Sequence, residues 1–340
     1  MAWKAGTGAV ALLMLAALAT QARSQSVADF YRGKQVQVLI GYSAGGGYDL
    51  YARMLARHMG KHIPGNPTLV PQNMPGAGSL KLANYLYSTA PKDGSIIGMV
   101  SRGMATDPLL VGDAKFDPTK FVWLGSITSE VSVCATWHTS PIKTWTDITA
   151  KEFTMGGSSA GSETDTFALL LRNVFGAKMR LVTGYPGGND INLAMERGEV
   201  DGRCGWSWSS IKSQKTDWLK DKKINVLVQL GMAKHPDIPD VPFMLDLAKD
   251  QEQRQILRLV FASLVLGRPF MAPPGIPDDR KAALRKAFDD TMKDAEFLAE
   301  ADKGRYEIAP VAAATIDELL VDLYKTPKSV AEKAAAVISK

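Results

Sequence analysis

Apolar residues in this chain occur in short runs that end at glycine loops and resume at helical spacing. The first such unit spans residues 35–55, where an apolar run at 36–40 leads into Gly45, Gly46 and Gly47. Apolar residues then recur at three- and four-residue intervals, as they do on one face of a helix. This pattern predicts a strand, a glycine loop and a helix, in that order.

The same order of elements repeats along the chain in two series. Two apolar runs, at 121–127 and 131–137, separate the series, and only the polar residues Thr128, Ser129 and Glu130 lie between them. A polar break of this kind is typical of a chain that crosses from one domain to another. Repeated strand, loop and helix units favour parallel strands with ligands at their carboxyl ends. The further strands are predicted at 68–73, 95–100, 153–156, 178–182, 200–206 and 224–230.

The last third of the chain is predicted to be mostly helical. After a helix at 251–259, the apolar run at 261–266 predicts a strand that returns to the first sheet, and a proline-rich turn then leads into a helix at 278–293. We therefore expect an α/β fold with two lobes. The expected first lobe comprises residues 25–127 plus 235–340, and the expected second lobe comprises residues 128–234.

Residues 1–24 have the pattern of a cleaved signal peptide. Lys4 precedes an uninterrupted apolar and alanine-rich run at 10–19, and small residues follow at Ala22 and Ser24. The run is too short to span a bilayer. We therefore expect an exported protein.

The charge of the chain bears on its partners. The formal net charge of +5 favours acidic small molecules or an anionic surface. Basic residues are interleaved with acidic ones and form no stripe beside aromatic platforms, which argues against nucleic acid as a partner.

The chain contains two cysteines, Cys134 and Cys204. In an exported protein one disulfide between them is the economical prediction, and two separate buried thiols remain the alternative. The pair lacks the CxxC spacing of a metal site.

Two glycine loops are predicted to hold an anion, one in each lobe. Glycine lets the backbone approach a ligand, and the first turn of the following helix presents unpaired N–H groups and a partial positive charge. These loops are residues 43–49 and 157–165. The alternative is an ordinary strand-to-helix turn. Serine hydroxyls in the loops can add donors without charge, although Ser162 is equally suited to capping a helix.

Several motifs occur together and in a fixed order. They are YSAGGGYD, NMPGAGS, APKDGS, GGSSAGSETD, GYPG, AMERGEVDG, and HPDIPDVP with PPGIP. Over essentially the whole mature chain this set resembles the extracytoplasmic substrate receptors of tripartite tricarboxylate transporters, the Bug-type periplasmic binding proteins. The sequence departs from the commonest pattern at Ala44 and Tyr48, where proline and a hydroxyl residue often flank the glycines.

The resemblance implies a type II periplasmic binding fold, with two doubly wound α/β lobes and a ligand cleft between them. Such a receptor closes over a small carboxylate and presents it to a membrane permease, as a monomer and without a cofactor or a metal. Aromatic residues at the loop ends, among them Tyr185 and Trp206, favour a bulkier or more apolar ligand, although core packing is an alternative for each. The residues expected to bind the ligand are Tyr42, Ser43, Gly45, Gly46, Gly47, Tyr48, Asp49, Arg102, Ser158, Ser159, Ala160, Gly161, Ser162, Tyr185 and Trp206.

Charged residues near the predicted loops have distinct expected roles. Arg102 follows a strand and Arg203 lies within one, and either guanidinium could pair with the ligand carboxylate. Arg102 is preferred, because a surface salt bridge is the favoured alternative for Arg203. Asp165 and Asp190 are expected to stabilise helix starts. A carboxylate at Asp49 would repel a bound carboxylate, so we hypothesise that the ligand also carries a hydroxyl or an ammonium group, or binds partly through water.

A serine hydrolase is the alternative function. Residues 157–161, GSSAG, match the G-x-S-x-G pattern that places a serine on a strand-to-helix turn. The histidine should follow late in the chain, but the last of the four histidines is His235, in a proline-rich segment. His58 and His62 have the spacing of helical metal ligands, but Gly60 weakens that helix and no HExxH glutamate is present. We therefore expect a binding protein and no enzyme.

Overall fold

The computed structural model describes residues 25–112 and 114–339, so the expected signal peptide at 1–24 lies outside the described residues. The strands are β1 Gln35–Ile40, β2 Thr68–Asn73, β3 Ile96–Met99, β4 Val122–Ser126, β5 Ser132–Trp137, β6 Phe153–Gly156, β7 Met179–Val182, β8 Gly202–Ser207, β9 Ile224–Leu230, β10 Pro269–Ala272 and β11 Val311–Ala312. The helices are α1 Val27–Tyr31, α2 Gly47–His58, α3 Leu80–Ser88, α4 Asp107–Leu110, α5 Glu163–Asn173, α6 Gly188–Glu196, α7 Trp208–Gln214, α8 Thr216–Lys220, α9 Gln251–Phe261, α10 Asp278–Thr291, α11 Ala295–Lys303, α12 Ala313–Leu323 and α13 Lys328–Val337. Within the described ranges no helix combines the length and the apolar character needed to cross a bilayer.

The first sheet has the strand order β11-β4-β10-β3-β1-β2. β1 pairs in parallel with both β2 and β3, as the repeated units predicted. β10 runs antiparallel between β3 and β4, so the sheet is mixed. Its core packs α2, α10 and α11 on one face and α3 on the other.

The predicted return strand at 261–266 is wrong. Phe261 ends α9, and the chain continues through a 3-10 turn at Ala262–Val265 before β10 begins at Pro269. Phe261, Leu264 and Leu266 are all buried. A short apolar run has the same appearance when a buried helix ends as when a strand begins, which explains the error.

The second sheet has the strand order β7-β6-β8-β5-β9. β6 pairs in parallel with β7 and β8, and β5 lies antiparallel between β8 and β9. Each sheet is flanked by helices. The expected two-lobed α/β architecture is therefore confirmed.

The segment after β9 does not pack as the expected domain limits imply. α9 places Leu257 and Val260 in the core of the second sheet, and the Phe261 ring lies 5.7 Å from the ring of Phe167. Ala334 of α13 is buried in the same core. We therefore propose that the second lobe extends to about residue 264 and includes α13, because these helices bury their apolar faces against it.

Cys134 and Cys204 form a disulfide with an S–S distance of 1.99 Å, as predicted. The bond joins the neighbouring strands β5 and β8 in the second sheet, and both residues are fully buried. β8 also carries Arg203 and Trp206. The disulfide therefore fixes the position of this strand within the sheet.

Replacing both cysteines with serine should lower the free energy of unfolding by about 4 kcal/mol, because the bond closes a long loop in the unfolded chain. The residues are 70 positions apart. Urea denaturation followed by circular dichroism measures the loss. Reduction of the unmutated protein in urea is the control and should give the same midpoint as the double variant. Equal midpoints for the oxidised protein and the variant would contradict the prediction.

Candidate functional site

A cleft between the two sheets brings together loops from both lobes. The first lobe contributes the loop after β1 and the start of α2, and the second contributes the loop after β6, the start of α6 and the end of β8. In this conformation the cleft encloses about 50 Å³, which is room for a few water molecules. The residues that line it are Tyr42, Ser43, Gly46, Gly47, Tyr48, Ser158, Glu163, Thr164, Gly188, Asn189, Asn192, Arg203, Gly205, Trp206, Ser207, Ser210, Gln214 and Arg268.

Asp49 braces the first loop from behind. Its carboxylate accepts the Gly45 N–H at 3.0 Å, the Arg53 Nε–H at 2.9 Å and the Asn73 Nδ2–H at 2.8 Å. Gly45 takes a φ of +81°, which favours glycine. Neither Gly45 nor Asp49 is among the residues that line the cleft. The position of Asp49 therefore does not support the hypothesis that it faces the ligand, because its oxygens hold the loop in shape.

Two tyrosines form an aromatic wall on the first-lobe side. The rings of Tyr42 and Tyr48 stack with centroids 4.6 Å apart, and the Tyr48 hydroxyl donates to Glu163 in the second lobe at 2.9 Å. Burial, and then the Glu163 charge, raise the pKa of both phenols well above the usual range. Both hydroxyls therefore stay protonated and can donate hydrogen bonds at neutral pH.

The second loop divides between the cleft and a helix cap. Ser158 lines the cleft, whereas Ser162 caps α5 by accepting the Asp165 N–H and donates to the Ser159 carbonyl at 2.7 Å. Ser159, Ala160 and Gly161 form this turn and do not line the cleft. The capping alternative for Ser162 is confirmed.

The Ser159 hydroxyl is buried and has no hydrogen-bond partner in the described part of the chain. A base positioned to activate it for hydrolysis is therefore absent among these residues. The hydroxyl lies next to Gly78 of the NMPGAGS loop, where an added Cβ would come within 2.8 Å of Ser159 Oγ. Gly78 thus lets the two lobes come into close contact.

Arg102 occupies the lobe interface behind the cleft. It is fully buried and forms an ion pair with Glu163 at 3.0 Å. It also donates to the hydroxyls of Ser132 at 2.8 Å and Ser207 at 3.2 Å. Arg102 is not among the residues lining the cleft, so the prediction that it meets the ligand is not supported by its position.

Arg203 lines the cleft and supplies the positive charge there that the sequence analysis expected from Arg102. Its Nη1 donates to the Gly188 carbonyl at 2.7 Å and to Asn192 Oδ1 at 3.2 Å, and its guanidinium lies 5.1 Å from the Trp206 ring. It is 6 % exposed, and within the described ranges it forms no ion pair with a carboxylate. Burial lowers the pKa of Arg203 to about 10, although the Glu163 charge raises it.

The expected surface salt bridge of Arg203 is therefore wrong. Simple alternation along a strand would place residues 203 and 206 on opposite faces. Gly205 has a φ of +62°, and the β5–β8 register shifts between Val133 and Ala135. This irregularity brings Arg203 and Trp206 to the same cleft, which strand periodicity alone could not predict.

Arg268, which the sequence analysis missed, is already paired with a carboxylate. Its Nη2 lies 3.2 Å from Glu130 Oε1 and donates to Ser210 Oγ at 2.8 Å. Its Nη1 donates to Ser207 Oγ at 3.1 Å, and the guanidinium lies 4.9 Å from the Tyr48 ring. No local motif marks this residue, which immediately precedes β10.

The start of α6 adds neutral polar groups that the sequence analysis also missed. Asn189 and Asn192 line the cleft, whereas the predicted Tyr185 does not. Asp190 accepts the Ser43 hydroxyl at 2.7 Å, so it joins the lobes in addition to lying at the first turn of the helix. The GYPGGND segment was the available signal for these residues.

The two histidines considered as metal ligands bind carboxylates of α11 and its cap. His58 contacts Glu300 at 2.8 Å and His62 contacts Asp294 at 3.0 Å. Lys61 Nζ lies 2.8 Å from Asp294. The positive charge of Lys61 therefore already balances the Asp294 carboxylate.

Comparisons with known proteins extend this picture. No protein-family model matches the chain. It is 28% identical over 222 residues to the UPF0065 protein in the TAR-I ttuE-ttuC' intergenic region of Agrobacterium vitis, over 63% of this chain and 61% of that protein. It is 38% identical over 112 residues to the UPF0065 protein in the gbd 5' region of Cupriavidus necator, over 33% of this chain and 32% of that protein. The matches thus span less than two thirds of each relative.

Solved structures match over nearly the whole chain. The periplasmic binding protein BugD has a TM-score of 0.72 at 18% identity. The match covers 90% of this chain and 99% of the BugD chain. The chain has the fold of a periplasmic binding protein. MatC from Rhodopseudomonas palustris with bound malate has a TM-score of 0.69 at 17% identity, with coverages of 90% and 99%. A second R. palustris protein, with adipate, has a TM-score of 0.68 at 17% identity, with coverages of 89% and 97%. At the level of fold, the resemblance to Bug-type receptors is confirmed.

Replacing Asp49 with asparagine should destabilise the protein by about 1–3 kcal/mol, because an amide accepts fewer of the three hydrogen bonds and leaves Arg53 without its charge partner. Urea denaturation measures the change. Asp322→Asn, at an exposed pair with Lys325, is the matched control and should change stability by less than about 0.5 kcal/mol. Equal stability of the two variants would contradict the bracing role.

Asp107 of α4 is a buried carboxyl for which the structure shows no ion pair within the described ranges. Burial, and then the Glu163 charge, raise the pKa of Asp107 well above its usual value. As the pH rises, the unfolded chain loses the Asp107 proton first, at about pH 4, whereas the native state still keeps it. The free energy of unfolding therefore falls as the pH rises above about 4.

Asp107→Asn should remove this pH dependence because the amide does not ionise. We expect the difference in melting temperature, variant minus wild type, to increase from about pH 4 to pH 7. Thermal denaturation across this pH range measures the difference. A difference that stays constant with pH would show that Asp107 is ionised in the native state without penalty.

Proposed function

We propose that this chain is a periplasmic receptor that captures a small carboxylate between its two lobes and delivers it to a membrane permease. The observation that carries the proposal is the buried guanidinium of Arg203, which lines the cleft without a carboxylate partner among the described residues. A buried charge is costly unless it is paired. A ligand carboxylate supplies the missing partner.

The geometry of Arg203 leaves one side of the guanidinium for a ligand. Its Nη1 is used by Gly188 and Asn192, whereas its Nε is buried without a partner in the described part of the chain. Guanidinium and carboxylate groups form two parallel hydrogen bonds, and such charge-assisted pairs are among the strongest in proteins. Trp206 and the Tyr42–Tyr48 stack supply apolar walls around this contact.

Closure of the cleft follows from hydrogen bonds that already join the lobes. Ser43 donates to Asp190 at 2.7 Å, and Tyr48 and Ser101 donate to Glu163 at 2.9 Å and 3.0 Å. A ligand that contacts residues of both lobes at once favours this closed state over an open one. In this proposal the permease recognises the closed form.

The comparisons support the same class of function. MatC holds malate and a second protein of the same fold holds adipate, and both ligands are small carboxylates. BugD is a periplasmic binding protein. Together with the signal-peptide pattern at 1–24, these relatives support export to the periplasm.

Arg203→Gln should weaken the binding of carboxylates by about 10- to 100-fold, which corresponds to the loss of a hydrogen-bonded charge contact of about 1.5–3 kcal/mol. Thermal shift with increasing concentrations of a carboxylate panel measures the loss, because a ligand stabilises the native state by an amount that grows with the logarithm of its concentration relative to its dissociation constant.

Arg180→Gln is the matched control, since it removes the same charge at an exposed position of β7. The control should bind as wild type does. If Arg203→Gln and the control bound carboxylates equally well, the role of Arg203 would be refuted. If no carboxylate stabilised the wild-type protein, the receptor proposal itself would fail.

A further inference from the structure

Of the charged side chains that line the cleft in the described part of the chain, one arginine is available to pair with an anion. Three charged side chains line it, namely Glu163, Arg203 and Arg268. Arg268 is paired with Glu130 at 3.2 Å, and Glu163 is paired with Arg102 at 3.0 Å. Among the described residues, only Arg203 remains for a ligand. One carboxylate satisfies it, and a second carboxylate finds no available cation.

The Glu163 side chain forms part of the cleft wall and places its own carboxylate there. It is 6 % exposed and extends from the first turn of α5, opposite Tyr48 of the other lobe. Its charge acts throughout the cleft, because it contributes to the raised pKa of Tyr42 and Tyr48 and opposes the burial effect on Arg203. A second ligand carboxylate here would be repelled at close range in a medium that screens weakly.

Glu163 also has hydrogen-bonding capacity to spare. Two ionised carboxylate oxygens offer about four acceptor positions. Three are used, by the hydroxyls of Tyr48 and Ser101 at Oε1 and by Arg102 at Oε2. The remaining position accepts an N–H or O–H group from the ligand.

We propose that the cleft selects a ligand with a single carboxylate, bound at Arg203, and an uncharged or cationic hydrogen-bond donor at its other end, with Glu163 as the residue that excludes a second carboxylate. This inference rests on the proposed receptor function and specifies its ligand class. The ligands named for two proteins of the same fold, malate and adipate, each carry two carboxylates. The pairing of the charged side chains in this cleft instead favours a ligand with a single carboxylate.

Matched pairs of ligands test this selectivity directly. Asparagine and aspartate, glutamine and glutamate, and succinamate and succinate differ only by an amide in place of one carboxylate. Isothermal titration at one salt concentration should show tighter binding of the amide in at least one pair, by about 10- to 100-fold. Equal or tighter binding of the dicarboxylate in every pair that binds would overturn the inference and leave the receptor function standing. If neither member of any pair bound, and no other carboxylate stabilised the protein, both proposals would fall together.

Variants at Glu163 test the cause of the selectivity. In Glu163→Gln the preference for the amide should fall by about tenfold or reverse, because the repelling charge is gone while the side chain keeps its size. This change leaves Arg102 unpaired, so Glu163→Gln combined with Arg102→Gln serves as a second variant in which the ion pair is removed as a unit. Its preference should fall in the same direction. An unchanged ratio in a folded variant of either kind would refute the role of Glu163, and Arg180→Gln should keep the wild-type ratio.

Discussion

Among the described residues, the cleft between the lobes depends on the unequal pairing of three buried arginines with two buried glutamates. Arg102 is paired with Glu163 and Arg268 with Glu130. In the part of the chain that the structure describes, Arg203 is held only by a carbonyl, an amide oxygen and the face of Trp206. A charge removed from water is tolerated when its environment compensates it. The compensation of Arg203 is incomplete without an anion, and this deficit distinguishes the cleft from an ordinary polar interface between lobes.

The same network links the site to the crossing between the lobes. Glu130 lies in the segment that leads from β4 to β5, and Arg268 lies directly before the returning strand β10. The Ser207 hydroxyl accepts hydrogen bonds from both Arg102 and Arg268, at 3.2 Å and 3.1 Å. Because Ser207 ends the strand that carries Arg203, a movement of one lobe relative to the other changes the surroundings of Arg203, the proposed partner of the ligand.

Much of the architecture could be predicted from the sequence because it follows from local pattern. Glycine loops after apolar runs predicted the positions of β1 and β6, and the cysteine count predicted the disulfide. The charged part of the site could not be predicted in this way. Arg203 reaches the cleft through an irregularity at Gly205. Asp49 turns inward because Asn73 of β2 meets it, together with Arg53 one turn later in the same helix. Such choices depend on long-range packing, which a linear pattern does not contain.

The disulfide makes the completed fold depend on the redox state of the surrounding compartment. Thiols stay reduced in a cytosol and pair in an oxidising space. While the thiols are reduced, the alignment of β5 with β8 rests on backbone hydrogen bonds and packing alone. The covalent bond between Cys134 and Cys204 then secures the strand that bears Arg203. For the proposed exported receptor, the covalent support of the strand that bears Arg203 is therefore added only after the chain reaches an oxidising compartment.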